Sequence, residues 1–170
     1  FSRPYDFIWF SPDCSIFSMA NQHSNHFDPV TREPLTERAK REVEGIKYVI
    51  SKIQERKPRF GWIMENPRAL MRKMDFVKGL DRATVTYCQY GFHRMKPTDL
   101  FGQIPSLFHP KACENGDPCH IPAPRGSRTG TQGLSKTEAG IIPFELSKAI
   151  MRAAIRSGTY VKPPTLRDFQ

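Results

Sequence analysis

The stretch Asp6–Ser18, DFIWFSPDCSIFS, opens as a continuous apolar run over residues 6–10 and stops on Ser11, Pro12, Asp13 and Cys14. A short unbroken run closed by turn residues is the pattern of a strand buried on both faces, as in a parallel sheet. A second run of the same kind, RFGWIMENP (residues 59–67), is apolar from Phe60 to Met64 and ends on Glu65, Asn66 and Pro67. Between the two, Thr36 is placed to cap a helix. Ala39, Val43, Ile46, Val49, Ile50 and Ile53 recur at helical spacing on one face, charged residues fill the other, and Pro58 closes the segment. That helix has the length a right-handed crossover between parallel strands requires. Strand, loop, helix and strand read as one parallel βαβ unit.

Outward from this unit the pattern weakens. Residues 18–33 are polar and aperiodic, and read as a flexible loop. ATVTYC (Ala83–Cys88) alternates β-branched with small or polar residues and predicts a third strand, and TDLFG (Thr98–Gly102) a fourth. From Pro105 to Gly140 periodicity disappears among prolines, glycines, two cysteines and two histidines. A last helix is predicted from Pro143 to Arg156, with Leu146, Ala149, Ile150, Ala153 and Ala154 on its apolar face and Gly158 as its stop. The tail VKPPTLRDFQ reads as extended. RGSRTGTQG (residues 125–133) contains glycines but follows prolines and not a strand, so it makes a weak phosphate loop. The chain divides into an α/β core (1–102), an irregular insertion (103–140) and a closing helix with its tail (141–170).

The 170 residues are 38% hydrophobic, enough for one folded domain, and carry a formal charge of +9. A basic surface attracts phosphates at long range, which points to nucleic acid, although a merely soluble basic domain has the same balance. No apolar run approaches the ~20 residues of a membrane span and no signal peptide is visible, so the expected setting is intracellular, with no membrane partner. Four unevenly spaced cysteines do not form a secreted disulfide framework. They read as reactive or metal-binding thiols. The chain opens on Phe1 and not on Met, which reads as a piece of something longer.

In open parallel sheets ligands bind outside the carboxyl ends of the strands. The βαβ reading places the Cys14 thiol and the Glu65 carboxyl on that rim. A thiolate can add to an electron-poor carbon, and a carboxylic acid hydrogen-bonded to a ring nitrogen makes that carbon more electrophilic. Taken alone, a cysteine after a strand is more often a small buried hydrophobe, and a glutamate a solvated acid. Both at strand ends, each near a proline, are harder to dismiss.

At this point the sequence resembles a known family. SPDCSIFS (11–18) is similar to the proline-cysteine motif of DNA cytosine-5 methyltransferases, and ENPRAL (65–70) to the Glu-Asn motif that follows it. CQYGFHRMKPTDLFG (88–102) resembles the glutamine-and-arginine segment of phage-type members, and IIPFELSKAI (141–150) the closing motif. The order is the family's, and the matches cover most of the chain apart from 103–140. The resemblance implies a Rossmann-like, three-layer, mostly parallel fold and methyl transfer from S-adenosylmethionine to C5 of a flipped cytosine in DNA, in a bacterial or phage-infected cytoplasm. RNA stays open as a substrate. Cys14 matches the nucleophile that adds at C6. Glu65 would hold N3 and the exocyclic amine, and Arg94, or else Gln89, would contact O2 and keep the thiolate anionic. Pro12, Ser18, Asn66 and Lys96 complete the implied substrate-binding set, and the loop from Ser15 to Gln22 would close over the extruded base.

Two departures accompany the resemblance. Asp13 stands where the family usually has proline, and a carboxylate beside a thiol disfavours the thiolate. The glycine-rich cofactor loop and the acidic residue that holds the ribose are expected upstream of Asp6, so the cofactor half would be supplied by another polypeptide segment or be lost. In the insertion, His109, Cys113, Cys119 and His120 lie within twelve positions. Such residues ligate zinc, and a loop poor in hydrophobes gains order from a metal. The alternative is a loop held by ordinary turns. Arg125, Arg128, Thr131 and Gln132 suit phosphates and base edges where the family reads its target, unless they form only a solvated basic loop. Beside the methyltransferase stand two other readings: a catalytically inactive nucleic-acid-binding remnant and a zinc-stabilised binding module.

Overall fold

A computed structural model describes residues 5–18, 26–122 and 133–158. The sheet has four strands, β1 (Ile8–Phe10), β2 (Trp62–Pro67), β3 (Asp81–Thr86) and β4 (Pro97–Gly102), in the order β1-β2-β4-β3. β1 and β2 are parallel, with Ile8 opposite Trp62 and Phe10 opposite Met64. β4 runs antiparallel to both β2 and β3. The expected mostly parallel sheet is therefore mixed. The connection between β3 and β4 is too short for a crossover, so the pair closes as a hairpin and β4 enters beside β2 in the opposite direction.

Helices cover both faces, which makes the chain an α/β protein. Alternation along the strands sends Ile8, Phe10, Trp62, Met64 and Phe101 to one face and Phe7, Trp9, Ile63 and Leu100 to the other. α1 (Glu37–Arg56) packs on the first face through Ala39, Val43, Ile46, Ile50 and Ile53. Val49 is 37% exposed, because the buried stripe steps by four and three residues and passes beside it. Thr36 caps α1 by accepting from the amide of Ala39, and Lys57 ends it in the left-handed region. α3 (Phe144–Ser157) packs on the second face through Leu146, Ile150 and Ala153, with Pro143 at its N-cap and Gly158 at its C-cap. α2 (Lys136–Gly140) is a short exposed helix closed by a capping box between Ser135 and Glu138.

Several expected boundaries move. β1 is only partly buried, because it lies at the edge of the described sheet. β3 ends at Thr86, and Tyr87–Tyr90 forms a 3-10 turn, so Cys88 is a turn residue. Of the stretch expected to be a flexible loop, residues 26–35 form an ordered turn. Asp28 accepts from the amides of Val30 and Thr31, and Phe27 bridges to Pro34 and stacks on Phe17 at 5.4 Å between ring centroids. The C-terminal tail lies outside the described residues.

Two contacts fix the sheet. Asp99 on β4 is buried and receives two hydrogen bonds from the Arg72 guanidinium, Nε at 2.9 Å and Nη2 at 2.6 Å, with a third from the Thr84 hydroxyl at 2.7 Å. Gly102 sits at φ +126°, and a β-carbon there would lie 2.5 Å from the carbonyl oxygen of Trp62. Asp99→Ala should cost about 3 kcal/mol, since it leaves a largely buried guanidinium unpaired. Gly102→Ala should cost about 2 kcal/mol through backbone strain. Urea denaturation of both variants checks this, and an unchanged midpoint in either would show that the corresponding contact does not hold the sheet.

Candidate functional site

The parallel register brings the ends of β1 and β2 side by side, and the chain leaves each through residues with chemistry. After Phe10, Asp13 accepts from the amide of Ser15 at 2.8 Å and from its hydroxyl at 2.8 Å, starting a 3-10 turn at Ser15–Phe17. Ile16 and Phe17 bury themselves in the α1-side core. This start of the expected base-closing loop is thus anchored in the core; residues 19–22 lie outside the described residues. Asn66, 1% exposed, donates from Nδ2 to the Pro12 carbonyl at 3.2 Å and so ties the cysteine turn to the end of β2.

Glu65 is buried and accepts the Tyr87 hydroxyl at 2.7 Å. Tyr87 is fully buried, and its phenol is pushed above the ordinary range by burial first and by the Glu65 charge second. Lys96, also buried, lies over the Tyr87 ring at 4.5 Å and donates to the Ala139 carbonyl at 2.8 Å, at the C-terminal end of α2. Its ammonium is held below its usual range by desolvation, while Glu65 and Cys14 pull it back up. Cys14 is exposed, yet desolvation raises its thiol above the ordinary value; Lys96 opposes this, while Asp13 and Glu65 add to it. Asp13 itself pairs with Arg38 at 2.9 Å and is held below the usual carboxylate range, first by its backbone hydrogen bond to Ser15. The ion pair spends part of the Asp13 charge away from the thiol.

Among the influences on Cys14, the Lys96 charge is one that lowers its thiol pKa. Arg94 instead donates from Nη1 to the Pro122 carbonyl at 3.3 Å, and its backbone bridges to Ile121. Gln89 donates to the Cys119 sulfur at 3.2 Å. Both of these bonds run to the insertion. The amide of Ser18 closes the turn onto the Ser15 carbonyl at 3.4 Å. Arg125, Arg128 and Gln132 lie outside the described residues.

The insertion brings Cys113, Cys119 and His120 together, but their partner is Cys88 and not His109. The four ligand atoms lie within 4.8 Å of one another, and this group could hold a metal ion. His109 instead lines a separate hollow of about 460 Å³ with Gln89, Tyr90, Lys111 and Glu145. Cys88 lies 25 residues before Cys113, too far along the chain for spacing alone to join the two. Tyr87 was hidden inside an ordinary strand pattern, with no signal that could have singled it out. Among the described residues no helix is long and apolar enough to cross a membrane. No protein-family model and no curated protein matches the sequence.

The pH dependence of Cys14 follows from these causes. A raised thiol pKa leaves less thiolate at neutral pH, so iodoacetamide labelling of Cys14 should rise with pH to a midpoint above the ~8.5 of a free cysteine. Lys96→Met removes the lowering influence and should slow labelling severalfold at pH 8. Asp13→Asn removes a raising influence and should speed it. Peptide mass spectrometry resolves Cys14 from the other thiols. Labelling that Lys96→Met leaves unchanged would sever the two residues.

Proposed function

We propose that this chain is the catalytic part of a DNA cytosine-5 methyltransferase. The observation that carries the reading is the pairing of an exposed thiol and a buried carboxyl at the carboxyl ends of two adjacent parallel strands, with a buried lysine acting on both. Those are the groups that addition to a cytosine ring demands. The Cys14 thiolate forms a bond to C6 as the C5–C6 π pair moves to C5. Glu65 hydrogen-bonds N3 and the exocyclic amine, taking up charge that builds in the ring. Tyr87 holds Glu65 in place. Lys96 supports the thiolate, the role that the sequence assigned to Arg94 or Gln89. Asn66 holds the Pro12–Cys14 turn against the carboxyl. Once C5 has bonded to an electrophile, a solvent proton in the exchange reaction or the donated methyl group, loss of the original C5 proton restores the C5–C6 double bond and lets the thiolate leave.

S-adenosylmethionine supplies the methyl group when bound. Among the described residues no strand is followed by a glycine turn and an acidic ribose acceptor, so these residues do not fit that cofactor by themselves, and on this reading a further polypeptide segment holds it. The thiol-imidazole cluster is assigned to zinc, since three sulfurs and one nitrogen suit that ion far better than magnesium or calcium. DNA is the partner consistent with the +9 charge.

The raised Cys14 thiol favours a second reading, an inactive nucleic-acid-binding remnant of the same fold. Reversible addition alone separates the two, because it makes C5 exchange its hydrogen with water and needs no methyl donor. Mixed-sequence DNA tritiated at cytosine C5 should release tritium with the wild-type chain. Cys14→Ala should abolish release while changing DNA affinity by less than about twofold, since phosphate contacts dominate affinity. Binding with no release from DNA or from RNA, at any pH up to the thiol midpoint, would establish the remnant. Equal loss of release and binding in Cys14→Ala would make the cysteine structural.

A further inference from the structure

Three thiols and an imidazole meet where β3 ends. Cys88 Sγ lies 3.1 Å from Cys113 Sγ and 3.7 Å from Cys119 Sγ. His120 Nδ1 lies 3.5 Å from Cys119 Sγ and 3.7 Å from Cys113 Sγ. A tetrahedral zinc ion, with Zn–S of about 2.3 Å and Zn–N of about 2.0 Å, sets its sulfurs about 3.8 Å apart and each sulfur about 3.5 Å from the nitrogen. Of the six edges, three match these values, and the Cys113–Cys119 and Cys88–His120 pairs lie within 4.8 Å. The Cys88–Cys113 edge is shorter and opens by about 0.7 Å to receive the ion.

We propose that Cys88, Cys113, Cys119 and His120 bind one zinc ion as a closed structural site that fastens the insertion to the turn bearing Tyr87. This rests on the zinc assignment and not on the cytosine chemistry. Four protein donors leave no open position for a substrate, which separates a structural from a catalytic zinc. The sulfurs are also partnered as ligands are. The Thr86 hydroxyl donates to Cys113 at 3.4 Å and the Gln89 amide to Cys119 at 3.2 Å, contacts that orient thiolates and stabilise their charge. Binding through Nδ1 leaves the His120 proton on Nε2, which is buried and has no hydrogen-bond partner among the described residues.

The placement explains what the ion does. Among the described residues no helix or strand occurs between Gly102 and Lys136. The insertion is attached instead by backbone and hydroxyl bonds that converge on residues 86–94: Thr86 N to Lys111 O at 3.0 Å, Cys113 N to Thr86 Oγ1 at 3.0 Å, Lys111 N to Tyr90 Oη at 3.0 Å and Ile121 N to His93 O at 2.9 Å. An ion bridging Cys88 to Cys113, Cys119 and His120 cross-links these same two segments. Cys88 follows Tyr87, whose hydroxyl holds Glu65. Zinc binding forms three Zn–S bonds and one Zn–N bond and releases the thiol protons to solvent.

The test uses the whole chain, purified under reducing conditions. Elemental analysis should give one zinc per chain, and cobalt(II) exchanged for it should show the intense visible bands of a tetrahedral thiolate site. Cys88→Ser and His120→Ala should each weaken zinc retention by about 100-fold or more, while His120→Cys and His109→Ala keep it. Chelation should raise amide exchange at Thr86 and Cys113 and leave α1 unchanged. A wild-type chain without zinc or the cobalt spectrum overturns the site, as does full retention in Cys88→Ser or a Cys88–Cys113 disulfide in the reduced protein. Exchange at Thr86 that ignores the chelator overturns the fastening role. Because every readout is independent of tritium release, loss of the metal proposal leaves the cytosine reading standing, and the converse also holds.

Discussion

Everything in the site depends on β2, a strand that is hydrogen-bonded on both edges and packed on both faces. Trp62 and Met64 face α1, Ile63 faces α3, and the strand is buried from Trp62 through Asn66. A strand so enclosed cannot slip, because a shift of one residue would exchange its two faces and send Glu65 into the apolar layer under α1. That constraint fixes three things together. The parallel pairing with β1 decides where the cysteine turn begins. The antiparallel pairing with β4 brings Lys96, next to the strand's first residue, back to the same rim. The side-chain alternation puts the Glu65 carboxyl on the face where Tyr87 waits.

Burying Glu65 and Lys96 on one rim sets up a competition that defines the thiol. Desolvation works against each charged form, so it raises Cys14 and lowers Lys96. Each charge then offsets the other's penalty: Lys96 pulls the thiol down, while Glu65 and the thiol pull the ammonium up. Asp13 enters on the unfavourable side, and its pairing with Arg38 limits the damage. Asp13 also has a structural task that proline could not perform, because its carboxylate accepts from the amide and hydroxyl of Ser15 at the start of the turn that buries Ile16 and Phe17. Order in the cysteine turn is thus bought with thiol acidity.

The parts of this arrangement that were legible in the sequence are those with a local signature. The βαβ unit, the two long helices and their caps follow from apolar periodicity and stop residues, and Cys14 and Glu65 follow from where the apolar runs end. What local pattern could not convey was direction and long-range partnership. The β3–β4 hairpin and a further parallel crossover share the same alternation, so alternation alone does not tell a mixed sheet from a mostly parallel one. Arg94 and Lys96 are both cations in one segment, and only the fold decides that the buried one lies over Tyr87 while the other turns to Pro122. His109 lay within reach of Cys113 in sequence and Cys88 did not, yet the hairpin reverses that order in space.

The turn Tyr87–Tyr90 is where the two halves of the molecule join. Successive side chains in a 3-10 turn point about 120° apart, so neighbouring residues serve different surroundings. Tyr87 is directed inward to Glu65, Cys88 to the thiols of the insertion, Gln89 to Cys119, and Tyr90 to the amide of Lys111. One turn of chain therefore holds the carboxyl of the rim and the root of the insertion at once. Neither can shift without the other, since the turn is pinned at Tyr87 to Lys96 and at Thr86 to Lys111 by backbone bonds. A segment with almost no core of its own is in this way tied to a strand buried at the centre of the sheet. On the proposed reading, this tie is what contacts made by the insertion require if they are to place a base against the thiol.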